Sequence, residues 1–130
     1  LAFQYGATLR NNQASQIQTT VGSSGTLIIF SGAEPANCAA SDPTGVLCTI
    51  TLPSTFLTSS AGVTTIAGTW SATASGTGTA ASFRIKDGSA VCHVQGAVST
   101  SASDLNLNNT SIATGQTVTV TSFSVTVGNA

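Results

Sequence analysis

Charge is what this chain has least of. Seven of its 130 residues are charged, 5% of the total against about 25% in an ordinary domain. They are Arg10, Arg84, Lys86, Glu34, Asp42, Asp87 and Asp104. With three cations and a net charge of −1, no basic stripe can form, which excludes phosphate-backbone binding and a polybasic membrane contact. Aromatics are also scarce, at 5%, and methionine is absent. No apolar run approaches the about 20 residues of a membrane span, and no signal-peptide pattern is visible. Long helical periodicity is missing after the first third. No internal repeat of fixed period occurs.

What is present is a globular composition, 41% hydrophobic, of one domain's length. Its surface must be built from Ser, Thr, Asn, Gln and Gly. A chain this neutral suits an assembly, or a place outside the cell, better than life as a free cytosolic monomer. Cysteines stand at 38, 48 and 92, and an odd count leaves at least one unpaired within the chain. Three reduced, packed thiols are expected, with a Cys38–Cys48 bridge as the alternative.

One helix is expected. Thr8 is the candidate N-cap, Leu9, Ala14, Ile17 and Val21 recur near helical spacing, and Gly22 and Gly25 end the pattern. Everything after it reads as β. TLIIF (26–30) and VLCTITL (46–52) are strands separated by a loop containing Pro35 and Asp42-Pro43. VTTIAGTWSATA (63–74) reads as a strand with Ile66, Gly68 and Trp70 on one face. Residues 81–98 read as a hairpin turning at Asp87-Gly88. DLNLN (104–108) points Leu105 and Leu107 one way and Asp104, Asn106 and Asn108 the other. Turn signals come about every ten residues, the spacing of an antiparallel β-sandwich or barrel, jelly-roll-like, with one short N-terminal helix. Residues 1–7 form an N-terminal arm and 8–130 a single β domain.

The last strand-like stretch, TVTVTSFSVTV (117–127), changes phase halfway. Val118 and Val120 fall on even positions, and Phe123, Val125 and Val127 on odd ones. A β-bulge near Thr121-Ser122 accounts for this, since a one-residue slip sends later side chains to the opposite face and the bulge bends the strand. The alternative is a strand covered on both faces, with a neighbouring subunit on the outer one.

Chemistry-bearing groups are few. His93 is a lone strand histidine, and a zinc site needs three or four ligands. Glu34 and Asp42 are the one remotely plausible carboxylate pair for glycoside hydrolysis. Asp104, Asn106 and Asn108 resemble part of a calcium loop, but Asn109 stands where Gly belongs and no closing Glu follows. Asn108 and Asn109 both begin formal glycosylation acceptors. Trp70 reads as core rather than as a sugar platform. No esterase elbow, phosphate loop or dinucleotide fingerprint occurs. The expectation is therefore no catalytic residue, no cofactor and no metal.

Taken together, RNNQASQIQTTVGSSGTLIIFSGAEPAN (10–37) and DLNLNNTSIATGQTVTVTSFSVTVGN (104–129) resemble the two ends of small structural proteins of tailed bacteriophages and prophages. Phe30 stands where that pattern has Tyr. The resemblance implies a virion structural protein: a head decoration or cement protein on the capsid exterior, assembled in the bacterial host cytoplasm. Its partners would be the major capsid protein and copies of itself, often as trimers. A tail or fibre component, including a glycan-binding adhesin, is the alternative. No functional residue set comes with the resemblance. The candidate partner contacts are the apolar arm residues Leu1, Phe3 and Tyr5, and Thr121, Phe123 and Val125 of the last strand, which could pair edge to edge with a neighbour.

Overall fold

The computed structural model describes residues 3–127, so Leu1 lies outside the described residues. Helix α1 (Ala7–Val21) is followed by β1 (Thr26–Phe30), β2 (Val46–Thr51), β3 (Leu57–Ser60), β4 (Val63–Ile66), β5 (Ser71–Thr73) and β6 (Gly78–Thr79). Then come β7 (Ser82–Lys86), β8 (Cys92–Ser99), β9 (Leu105–Leu107), β10 (Ser111–Ile112) and β11 (Thr117–Thr126). The fold is mainly β with one N-terminal helix, as the turn spacing predicts.

Nine strands form one sheet in the order β2-β1-β7-β8-β9-β11-β4-β3, with β5 also on β11, while β6 and β10 make a separate ribbon. The sheet curls into a half-barrel. Its two flanks approach where Leu47 O accepts the N–H groups of Ser75 at 2.9 Å and Gly76 at 3.1 Å. One pairing corrects the antiparallel expectation. β8 and β9 run parallel, with Val98 opposite Leu105. The short return at 100–104 is pinned by Asp104, whose Oδ2 accepts the Ala97 N–H at 2.9 Å. Both Val98 and Leu105 thereby enter the core.

The helix departs from expectation at its start. Gly6, not Thr8, is the N-cap, and no side chain caps it. Leu9 is 48% exposed. It lies five residues before Ala14, about 140° around the helix from the buried Ala14–Val21 stripe. Three other side chains fasten α1 instead. Arg10 donates to Ala61 O at 3.0 Å, Asn11 Oδ1 accepts from Gly62 N at 2.7 Å, and Gln18 Oε1 accepts from Leu57 N at 2.7 Å. All three reach the β3–β4 hairpin, whose turn residues Ala61 and Gly62 sit at φ 50° and 77°. Such a turn normally carries Asn-Gly, and the helix supplies the fastening that Ala61 lacks.

The strand expected over 63–74 is two strands. Gly68, at φ 73°, takes the left-handed conformation open to glycine and breaks the run between β4 and β5. Trp70 is nonetheless core, 1% exposed, with Nε1 donating to Ala67 O at 3.3 Å. Its ring lies 5.9 Å from both Phe56 and Phe123, and Phe123 meets Phe83 edge-on at 5.9 Å. These rings fill the curl of the sheet.

β11 carries the expected bulge. Val120 pairs with Leu107 and Ser122 with Asn106, leaving Thr121 extra. Val118, Val120 and Phe123 all become buried as a result. The strand pairs first with β5, then β9, then β4. It is therefore an interior strand, and the expected edge-to-edge pairing through it is corrected.

Candidate functional site: a clasped loop and an exposed arm

β7 reads SFRIK, and alternation sends Phe83 and Ile85 to the core and Ser82, Arg84 and Lys86 to the outer face. The outer face is covered by the loop between β1 and β2. Arg84 is 2% exposed and makes four bonds on this face, three to the loop and one to β8. It donates to Ala40 O at 3.0 Å, Asn37 O at 3.0 Å, Asp42 Oδ1 at 2.9 Å and Gln95 Oε1 at 3.1 Å. Lys86 Nζ holds the other Asp42 oxygen at 2.6 Å. Gln95 Nε2 donates to Pro35 O at 2.8 Å and lies 3.5 Å from Glu34 Oε1. Ser82 donates to Gly32 O at 2.7 Å. The Lys86 hydrogen bond, with help from Arg84, holds the Asp42 carboxyl below its ordinary pKa of 3.8 despite some burial.

Cys38 of the loop and Cys92 of β8 form a disulfide, with Cα atoms 5.4 Å apart. This corrects both the all-thiol expectation and the Cys38–Cys48 alternative. Cys48 is inside β2, fully buried and free, and burial raises its thiol pKa. Between loop and hairpin opens a cleft of about 460 Å³ lined by Cys38, Asp42, Arg84, Lys86, Val91 and Cys92.

The remaining chemical candidates are fasteners. His93 Nε2 meets Asp87 Oδ2 at 2.8 Å, while Asp87 Oδ1 accepts the N–H groups of Ser89 at 2.8 Å and Val91 at 3.0 Å. His93 first, then the Val91 amide, lowers the Asp87 pKa. The two residues stand at the turn of the β7–β8 hairpin, and their six-residue spacing across that turn is a signal the sequence offered. The calcium-like oxygens are spent on backbone amides. Asn106 Oδ1 accepts from Ser103 N at 3.2 Å and Asn108 Oδ1 from Thr119 N at 3.1 Å, while Asp104 holds Ala97. Among the described residues, no group of three or more His, Cys, Asp or Glu side chains is placed to hold a metal. Of the carboxylate pair considered for hydrolysis, Asp42 bonds Lys86 and Arg84, and Glu34 Oε1 lies 3.5 Å from Gln95 Nε2.

The partner-contact candidates divide. Phe3 is 74% exposed and stacks edge-on against Tyr5, ring centroids 5.2 Å apart. With Leu9 they leave apolar surface at the start of α1. Thr121 is exposed, and its Oγ1 donates to Asn106 O at 3.1 Å. Phe123 is 5% exposed because the bulge turns it inward, which corrects its place among the contacts. Val125 is half-buried against the core. No helix among the described residues is long and apolar enough to cross a membrane.

No family model, no curated protein and no solved structure matches this chain. The likeness of its two ends to phage structural proteins therefore stands on the sequence motifs alone.

Proposed function

We propose that this chain is a structural component of a tailed-phage particle, and that it works by covering surface on its neighbours rather than by turning over a substrate. On this reading it decorates the outside of the head and staples capsid subunits, with copies of itself and the major capsid protein as partners. The supporting observation is where the charge goes. All seven charged side chains touch groups of the chain itself, in the loop clasp, the hairpin turn, the helix fastening and the β8–β9 return. The exposed large apolar side chains are Phe3, Leu9, Val46 and Val91, and Phe3 with Tyr5 forms an apolar group before α1. Such a group covers a partner, within a specific interface of about 1,600 Å².

The test is binding to empty capsids by protein lacking residues 1–5, a cut that leaves the Gly6 cap in place. Loss of affinity of about tenfold or more supports the arm as an anchor, and unchanged affinity removes it. Gold-labelled protein seen on intact particles by electron microscopy decides between head and tail. Label on the tail replaces the decoration reading with that of a tail or fibre component, and no label on any particle ends both.

A second reading is favoured by the Cys38–Cys92 disulfide, because such bonds persist in oxidising places outside the cytosol. It makes the chain a secreted or pilus-type β domain. Fractionation of the producing cell separates the two, since the secreted form is found free of particles.

A further inference from the structure

The loop between β1 and β2 is unlike the rest of the chain in how it is held. Between Phe30 and Leu47 no side chain belongs to the buried apolar core. The base of the loop is closed by two backbone bonds, Ser31 N to Gly45 O and Gly32 N to Thr44 O, each 2.9 Å. Beyond that base, the polar clasp and one disulfide attach it to β7 and β8. That disulfide joins residues 54 apart in sequence. Both of its cysteines are part-exposed, and both line the cleft of about 460 Å³ that small thiols can enter.

We propose that Cys38 and Cys92 are a redox-operated latch for this loop: as a disulfide they pin residues 33–43 onto β7 and β8, and as thiols they leave those residues to the polar clasp alone, free to lift about the 31–45 base.

The surroundings suit thiol–disulfide exchange. Both cysteines line an open cleft, with Arg84, Lys86 and Asp42 at its border, and access of this kind is what exchange with a small disulfide requires. A low-molecular-weight disulfide such as oxidised glutathione closes the latch. The Cys38 thiolate attacks one glutathione sulfur and expels glutathione thiolate, giving a mixed disulfide. The Cys92 thiolate then attacks Cys38 Sγ and expels the second glutathione. Two protein thiols lose two protons and two electrons, and one glutathione disulfide becomes two glutathione thiols. Cys48 stays out of the exchange. It is 0% exposed, and its Sγ lies 3.8 Å from Thr73 O. The latch is independent of the proposed virion role. For a chain made in a reducing cytoplasm and then released, it would close on release.

The experiment equilibrates the purified full chain in glutathione buffers of graded redox ratio, counts thiols by alkylation and mass, and follows amide exchange. Ala39 and Ala40 report the loop, because their N–H groups are held by Asn37 Oδ1 at 3.0 and 3.1 Å. The expected result is one two-electron transition in which Cys38 and Cys92 react and Cys48 does not. In the thiol form the Ala39 and Ala40 amides exchange about tenfold faster or more, while those of β1 and β7 keep their protection. Equal loop exchange in the two forms overturns the latch. So does loss of protection in β1 and β7 on reduction, which would make the bond a support of the whole fold. Cys38→Ser gives an independent check: in oxidising buffer it must show the fast loop rate of reduced protein, and a slow rate overturns the proposal.

Discussion

β7 is buried on both sides, by opposite means. Its inner face sends Phe83 and Ile85 into an apolar core shared with Trp70 and Phe123. Its outer face sends Ser82 and Arg84 under a loop that contributes nothing to that core, and there burial is sustained by hydrogen bonds and charge. The inner face needs no partner atom in particular, since hydrophobic burial scales with area. The outer face needs every partner, since a buried guanidinium without acceptors is costly. One strand thus carries a tolerant face and an exacting one. The exacting face holds most of the chain's charge.

The largest effect is expected on the inner face. Phe83→Ala removes a ring that is 1% exposed and should cost about 3–5 kcal/mol, read as a shift of the denaturant midpoint. A loss under about 1 kcal/mol would mean that the core can close around the gap. Gly96 stands opposite Phe83 in the β7–β8 pairing, and a Cβ there would approach the Phe83 ring to 2.8 Å. The ring therefore has a place made for it, and Ala leaves that place empty.

The outer face comes second. Arg84→Met keeps an apolar stem under the loop and removes the donors. Gln95 Oε1, two loop carbonyls and one Asp42 oxygen lose their partner, at about 2–3 kcal/mol in total because exposed Asp42 regains water. Arg84→Lys should recover only part of this, as an ammonium cannot fork to four acceptors. The comparison sharpens in the Phe83→Ala/Arg84→Met double variant. If the two faces are independent, the losses add within about 0.5 kcal/mol although the residues are neighbours in sequence. A larger coupling would show the clasp tightening the core through the backbone.

These two faces also show what the sequence could tell. The alternation of Phe83 and Ile85 with Arg84 and Lys86 was legible, as were the β1 run, the Asp87-Gly88 turn and the Thr121 bulge. Each is written in local periodicity or turn chemistry. What covers Arg84 was not legible, because its partners at 37, 40 and 42 come from a loop without periodicity. The β3–β4 hairpin is not legible for the same reason. Ala61-Gly62 carries no strong turn signature, and the turn is fastened by Arg10 and Asn11 from 51 residues away. The Cys38–Cys92 pairing likewise depends on loop placement, which no spacing rule supplies. Phe123 reads as a contact in the sequence, yet the bulge legible beside it buries it: apolar side chains on both sides of a phase change are brought to one face, the inner one.

A smaller effect is expected at the rim of the clasp. Lys86, 11% exposed, is paired with Asp42, whose side chain is 42% exposed, and a pair with one partner open to water is worth about 1 kcal/mol. Lys86→Ala should therefore fall well short of Arg84→Met in the same unfolding measurement. Equal losses would mean that the clasp acts as one cooperative unit and that burial of Arg84 is not what sets the difference.

The smallest effect is the response to acid, and it tests whether charge holds the outer face at all. Asp42 has its folded pKa lowered below 3.8 by Lys86 and then Arg84. A group depressed on folding contributes stability that is fully present above its unfolded value and is lost as pH falls through the folded one. Unfolding midpoints should thus be level from neutral pH down to about pH 5 and decline below the ordinary Asp range. Asp87 acts in the same direction through His93 and the Val91 amide, so wild type sums two sites and single variants are needed. Asp42→Asn should flatten part of the decline and raise loop amide exchange. Asp87→Asn should flatten another part and leave the loop unchanged. Phe83→Ala should shift the whole curve down without altering its slope, because the inner face carries no titrating group. A slope that changes with Phe83 and not with Asp42 would overturn the division between the two faces of β7.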